Sequence, residues 1–107
     1  MSNKNKMRIW LDDIRPMPEG FDYWAKFAND ALLKIASGIV THISFDHDLG
    51  EFGGTGYDVA KVIEYYANYK VIPFMTWDIH SANPVGRKNI ELAMNSAERF
   101  WREKENV

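Results

Sequence analysis

The sequence contains no cysteine, which removes disulfide scaffolds and thiolate chemistry from consideration. No apolar run approaches the length of a membrane span, and the polar opening Met1 to Lys6 is unlike a signal peptide. The expectation is a cytoplasmic protein with no membrane partner and a frayed terminus over residues 1–6. Excess positive charge is missing as well: 13 Lys and Arg stand against 15 Asp and Glu, a formal charge of −2. That balance excludes a field for duplex DNA and leaves only local nucleic-acid contact, at an end or a single nucleotide. Repeats and low-complexity tracts are also absent. What is present is apolar material, 46% hydrophobic and 14% aromatic over 107 residues, enough for the core of one domain spanning the chain.

The organising stretch is Thr41-His-Ile-Ser-Phe-Asp-His-Asp-Leu-Gly50. Ile43 and Phe45 alternate with His42, Ser44 and Asp46, so the run reads as a strand with one strongly apolar face. Its carboxyl end delivers Asp46, His47 and Asp48 where Gly50 breaks the chain. Met7 to Leu11 reads as another strand and also runs into acid, at Asp12 and Asp13. Carboxylates held close repel one another and raise each other's pKa unless a cation neutralises them. If the two strands are parallel neighbours, Asp12, Asp13, Asp46 and Asp48 meet on one rim. Hard oxygen ligands of this kind suit a divalent ion such as Mg²⁺, Mn²⁺ or Ca²⁺.

The remaining segments fill in an alternating pattern. Ile14 to Gly20 carries two prolines and a glycine, hence a loop. Tyr23 to Ala28 alternates as a second strand. Asn29 is a natural N-cap for a helix over Asp30 to Ser37, with Gly38 as its stop. Thr55-Gly-Tyr-Asp58 has the hydroxyl and acid of a capping box, opening a helix whose stripe is Val59, Val62, Ile63 and Tyr66. Val71 to Ile79 reads as a strand entered through Pro73. Asn83 and Pro84 open a last helix to about Glu103, with Ile90, Met94, Ala97 and Trp101 inward. Four strands alternating with about three helices imply an α/β fold with a small parallel sheet in the order second, first, third, fourth. Ligands in such sheets bind beyond the carboxyl ends of the strands at the switch point, which here is the acidic rim, with His80 arriving from the neighbouring strand.

Each residue at the rim has a plain reading beside the functional one. Asp12, Asp13 and Asp46 are either strand-end caps or metal ligands, and their convergence favours the second. Asp48 either completes the metal shell or bonds amides of the Gly50 loop. His80 and His47 are either packed loop histidines or acid–base groups, since imidazole titrates near neutrality. Ser81 and Asn83 can donate to phosphate oxygens, and the freed amides of Val85 and Gly86 at the helix start make an anion site. Arg15 is a surface ion pair or a bidentate phosphate ligand. Thr55 is first a cap and second a substrate contact. Tyr57 stacks on a base or packs, and Trp10, Trp24, Trp77 and Trp101 are assigned to the core.

Read together, Leu11-Asp-Asp-Ile-Arg-Pro16, Ser44-Phe-Asp-His-Asp-Leu-Gly50, Thr55-Gly-Tyr-Asp58 and His80-Ser-Ala-Asn-Pro-Val-Gly86 resemble the motifs of the cyclic-phosphate processing receiver domain family, an offshoot of the response-regulator receiver fold. The resemblance covers about Arg8 to Ile90. It implies a flavodoxin-like fold, a divalent metal, Mg²⁺ or Mn²⁺, at Asp12, Asp13 and Asp46, and action on a cyclic phosphate of a nucleotide or an RNA end. It also implies that Ser81 stands where a receiver's hydroxyl stands, and that Asp46 corresponds to the phosphate-accepting aspartate. A phosphorelay receiver further needs a fifth strand with a lysine, for which the sequence after Trp101 offers no counterpart. The resulting expectation is a metal-dependent phosphoesterase with catalytic His80, His47 and Asp46, and substrate contacts from Arg15, Ser81, Asn83, Gly86 and Thr55. The alternative is a non-catalytic module that binds a nucleotide or a protein partner.

Overall fold

A computed structural model describes residues 6–105; the expected frayed terminus, apart from Lys6, lies outside them. The chain runs β1 (Met7–Leu11), β2 (Tyr23–Ala25), α1 (Ala28–Ala36), β3 (Val40–Phe45), α2 (Gly56–Asn68), β4 (Thr76–Ile79) and α3 (Pro84–Glu105). All pairings are parallel and the sheet order is β2-β1-β3-β4, as the pattern of the sequence implies.

Crossover handedness decides what covers each face. The connections from β2 through α1 to β3 and from β3 through α2 to β4 step in the same direction across the sheet, so right-handed crossovers put both helices on one side. The step from β1 to β2 goes the other way and carries no helix. Its loop therefore crosses the opposite face: Trp10 Nε1 donates to Arg15 O at 2.9 Å, Trp24 Nε1 to Asp12 O at 2.6 Å, and Phe21 meets the Trp10 ring edge-on at 5.3 Å. The three helices lie on one face together.

Alternation sorts the side chains accordingly. Ile9, Leu11, Ile43 and Phe45 are fully buried against Ile35, Val59, Ile63, Ile90, Met94 and Ala97 in one cluster. On the other face, Arg8, Trp10, His42, Ser44, Thr76 and Asp78 are paired across the strands. Helix α2 opens with the expected capping box, Thr55 and Asp58 exchanging bonds of 3.0 Å in each direction. The inward residues expected of α3, including Trp101, are buried.

Three boundaries differ from the sequence reading. Helix α1 begins at Ala28 behind Phe27, which makes no side-chain cap, so Asn29 lies inside the first turn. The orphan Ala28 amide is satisfied by Gly53 O at 2.8 Å instead, a tertiary bond in the place of a local cap. Strand β2 stops at Ala25 for the same reason, since the helix has claimed Ala28. Strand β4 begins at Thr76, not Val71: Ile72 and Met75 are the buried residues of the approach, three apart where a strand would bury every second one. Pro73 has no N–H for a ladder, and Ile72 O instead accepts from Trp101 Nε1 at 3.2 Å.

Candidate functional site

Register builds the site. Leu11 pairs with Phe45, and Phe45 with Ile79, so the next residues of three adjacent strands, Asp12, Asp46 and His80, emerge at one level. The ladder continues through them, with Asp46 N donating to Leu11 O and His80 N to Phe45 O, each at 2.9 Å. Because Leu11 and Phe45 point into the core, their successors point to the other side. One ligand atom from each of Asp12, Asp46 and His80 lies within 4.8 Å of the others.

Asp12 is 1% exposed and held on both oxygens. Ile14 and Arg15 amides donate to Oδ1 at 2.8 and 2.7 Å, and His80 Nε2 lies 2.9 Å from Oδ2. Burial pushes its pKa up, but the two amides and His80 push it down and prevail, so Asp12 stays ionised. Asp46 behaves oppositely. Burial first, and then the charge of Asp12, raise its pKa against the lowering effects of the His47 amide, His80 and Arg15. A buried carboxylate whose ionisation is opposed by an ionised neighbour is the electrostatic signature a cation would relieve. Hard carboxylate oxygens match the ligand chemistry of Mg²⁺ or Mn²⁺, so the Asp12 and Asp46 pair fits a divalent ion.

His80 is fixed on every side. Its ring stacks on Trp10 with centroids 3.8 Å apart and planes 7° off parallel, and its Nδ1 lies 2.9 Å from Ser44 Oγ. Ser44 in turn donates its proton to Asp78 Oδ1, so toward His80 it can only accept. Asp78 also faces His42, whose Nε2 is 3.5 Å from Oδ2, while His42 Nδ1 meets Thr76 Oγ1 at 2.7 Å. A polar chain thus runs Asp12, His80, Ser44, Asp78, His42, Thr76 across the helix-free face.

Beside this cluster lies an open cleft of about 420 Å³ lined by Asp12, Asp13, Arg15, Asp46, Asp48, Gly50, Ser81 and Asn83, among others. Asp13 fits there because Gly50 has no side chain; a Cβ on Gly50 would stand 3.3 Å from Asp13 Oδ2. Arg15 reaches over the rim, with Nη1 donating to His80 O at 2.9 Å and Nε 4.0 Å from Asp12 Oδ2. Asn83 Nδ2 donates to Asp48 Oδ2 at 3.3 Å, which ties the fourth carboxylate to the β4–α3 turn. Ser81 is buried in that turn and accepts from the Asn83 amide at 3.1 Å.

The family model for the cyclic-phosphate processing receiver domain matches residues 7–96. The chain belongs to that family. No curated protein and no solved structure matches it. Membership in a cyclic-phosphate processing family gives the rim its chemical context, and among the described residues no helix is long and apolar enough to cross a membrane.

Within this receiver domain four expected site residues do not line the cleft: His80, which sits in the cluster beside it, and His47, Gly86 and Thr55. His47 packs on the first turn of α3, where a Cβ on Gly86 would stand 2.3 Å from its ring; its Nδ1 is buried with no hydrogen-bond partner among the described residues. Gly86 is therefore a close-approach glycine. Its amide is not a free anion donor, because Asn83 Oδ1 accepts from it at 3.0 Å. Thr55 caps α2 and bridges Asp48, its hydroxyl occupied by the Asp58 amide. Conversely, Trp10, Ser44 and Asp78 form the seat of His80 and were not expected there. The available signal was parity: Ser44 sits two residues before Asp46, and Asp78 two before His80, so each pair shares a face. Tyr57 packs against the core with Lys61 Nζ 4.8 Å over its ring.

Proposed function

We propose that this domain is a metal-dependent phosphoesterase that opens a cyclic phosphate carried by a nucleotide or an RNA end. The observation that carries this reading is the convergence of Asp12, Asp13, Asp46 and Asp48 on one cleft that also holds Arg15, Ser81 and Asn83. Asp12, Asp13 and Asp46 would hold Mg²⁺ or Mn²⁺, with Asp48 completing the shell. When bound, such an ion polarises phosphoryl oxygens and stabilises the charge that grows on them. The chain's own residues supply the rest. Arg15 lines the cleft and is half exposed at the rim, its Nε 4.0 Å from Asp12 Oδ2, and it binds non-bridging phosphate oxygens. Ser81 accepts from Asn83 and keeps its own proton to donate to the phosphoryl group.

Ring opening forms one bond from water oxygen to phosphorus and breaks one phosphorus–oxygen bond of the ring, with a proton ending on the leaving oxygen. His80 holds a proton at Nε2 against Asp12 and is the candidate for supplying it. Asp46 is the group to take a proton from water or, as in receiver chemistry, to attack phosphorus itself and displace the ring oxygen, after which water hydrolyses the acyl phosphate to release the monoester and restore the carboxylate. The test is monoester release from 2′,3′-cyclic nucleotides with added Mg²⁺ or Mn²⁺. Turnover by the wild type that is abolished in Asp46→Ala is the expected result; no wild-type turnover, or full turnover by the variant, overturns the reading.

One observation favours the non-catalytic alternative: both ring nitrogens of His80 are already engaged within the protein, on Asp12 and Ser44. A binding module would show saturable nucleotide binding, unchanged ligand, and indifference to His80→Gln.

A further inference from the structure

The loop after β3 separates the carboxylate cleft from a second cleft of about 430 Å³, lined by Phe27, Ala28, Asn29, Leu32, Phe52, Gly53, Gly54, Asp58, Lys61 and Val62. Two phenylalanines flank its mouth, Phe52 at 93% exposure and Phe27 at 49%. Such rings are costly to leave in water, and here the backbone beneath them is pinned. Gly53 N donates to Gly50 O at 3.3 Å and Gly53 O accepts from Ala28 N at 2.8 Å. A Cβ on Gly53 would stand 1.9 Å from Leu49 O, so the loop is built around that glycine to carry Phe52 outward.

The same turn forms the wall between the two clefts. Gly50 lines the carboxylate cleft and Gly53 the aromatic one, and the bond from Gly53 N to Gly50 O closes the turn between them, so the two clefts adjoin. Asn29 adds an exposed amide group able to pair with a base edge, while the stacking surfaces are apolar and indifferent to base identity.

We propose that the Phe27–Phe52 cleft is a nucleobase subsite, which holds the base of a nucleotide whose cyclic phosphate enters the carboxylate cleft. This rests on the phosphoesterase reading for the phosphate end only; the base subsite is read by binding. It gives the base of that nucleotide a place of its own, outside the carboxylate cleft.

The experiment is equilibrium binding, with Mg²⁺, of adenosine 2′,3′-cyclic phosphate and of glycerol 1,2-cyclic phosphate, which has no base, to the wild type and to Phe52→Ala. Phe52 is almost wholly in solvent, so its removal leaves the fold intact, and an unchanged thermal midpoint verifies this. The expected result is nucleotide binding weakened about tenfold in Phe52→Ala, with the baseless compound bound equally by both proteins and more weakly than the nucleotide by the wild type. Equal nucleotide affinity in wild type and variant, a baseless ligand bound as tightly as the nucleotide, or no nucleotide binding at all overturns the proposal. Failure of the phosphoesterase reading looks different: the nucleotide binds in a Phe52-dependent way and is recovered intact.

Discussion

Phe45 and Asp46 are neighbours in sequence and belong to opposite sides of the sheet. Phe45 faces the helices and is fully buried; Asp46 faces the side that only the β1–β2 loop crosses. The helix-covered side is held by apolar packing, which has no directional demands and closes around whatever volume it is given. The other side is a polar sequence of bonds in which each group has a fixed partner. Stability resides on the first and the candidate site on the second, and a one-residue slip of β3 would exchange them.

The comparison breaks most visibly at Phe45. Phe45→Ala should cost about 3–5 kcal/mol through lost burial and the cavity left behind, a large share of the ~5–15 kcal/mol available to a domain of this kind. Denaturant unfolding measures it, with the midpoint moving and the slope unchanged. A loss under about 1 kcal/mol would mean that the helices do not pack on this face as described.

Asp46→Asn should do the opposite. A carboxyl whose folded pKa lies above its ordinary value of 3.8 binds its proton more tightly in the folded state. Stability is therefore greatest below the ordinary value, declines as pH rises toward the raised folded value, and is lowest once the group is ionised in both states. Above the raised folded value the wild type carries that cost in full. Asparagine removes the charge and keeps the acceptor for the His47 amide, so the metal-free variant should melt a few degrees higher, where ~1 kcal/mol corresponds to about 4–8 °C. Added Mg²⁺ should raise the melting point of the wild type by mass action and leave that of the variant in place. A variant less stable than the wild type without metal would show that the two carboxylates are not in conflict.

How much of this was legible in the sequence follows the same division. Alternation in Met7–Leu11 and Val40–Phe45, and the capping pair Thr55 and Asp58, are local signals; they gave β1, β3, α2 and the strand order. The acidic rim was legible because carboxylates at the ends of two apolar runs converge once those runs are parallel neighbours. The start of α1 was not, since the Gly53 carbonyl that receives the Ala28 amide lies 25 residues away in the chain. Nor was the direction of His47, which depends on Gly86 leaving room for its ring. Val71 to Met75 looked like strand by composition, yet Pro73 and the Trp101 bond to Ile72 took that segment out of the ladder.

Ser44 tests the helix-free face itself, with an effect below that of Phe45→Ala. It is a small polar residue buried between Trp10 and Asp78 in register, and it is the group through which His80 is held from below. Ser44→Ala takes the acceptor from His80 Nδ1 and leaves that nitrogen without a partner, whereas Asp78, 61% exposed on its side chain, turns to water. Removing one partner of a buried bond costs about 1–3 kcal/mol, so the loss should fall below that of Phe45→Ala and be visible in the same denaturant experiment. Because Asp12 keeps its amide bonds from Ile14 and Arg15, the metal-dependent rise in melting point should survive in Ser44→Ala, in contrast to Asp46→Asn. A loss as large as that of Phe45→Ala would mean that the helix-free face is packed like a core, and the division between a stabilising side and a chemical side would fail at its centre.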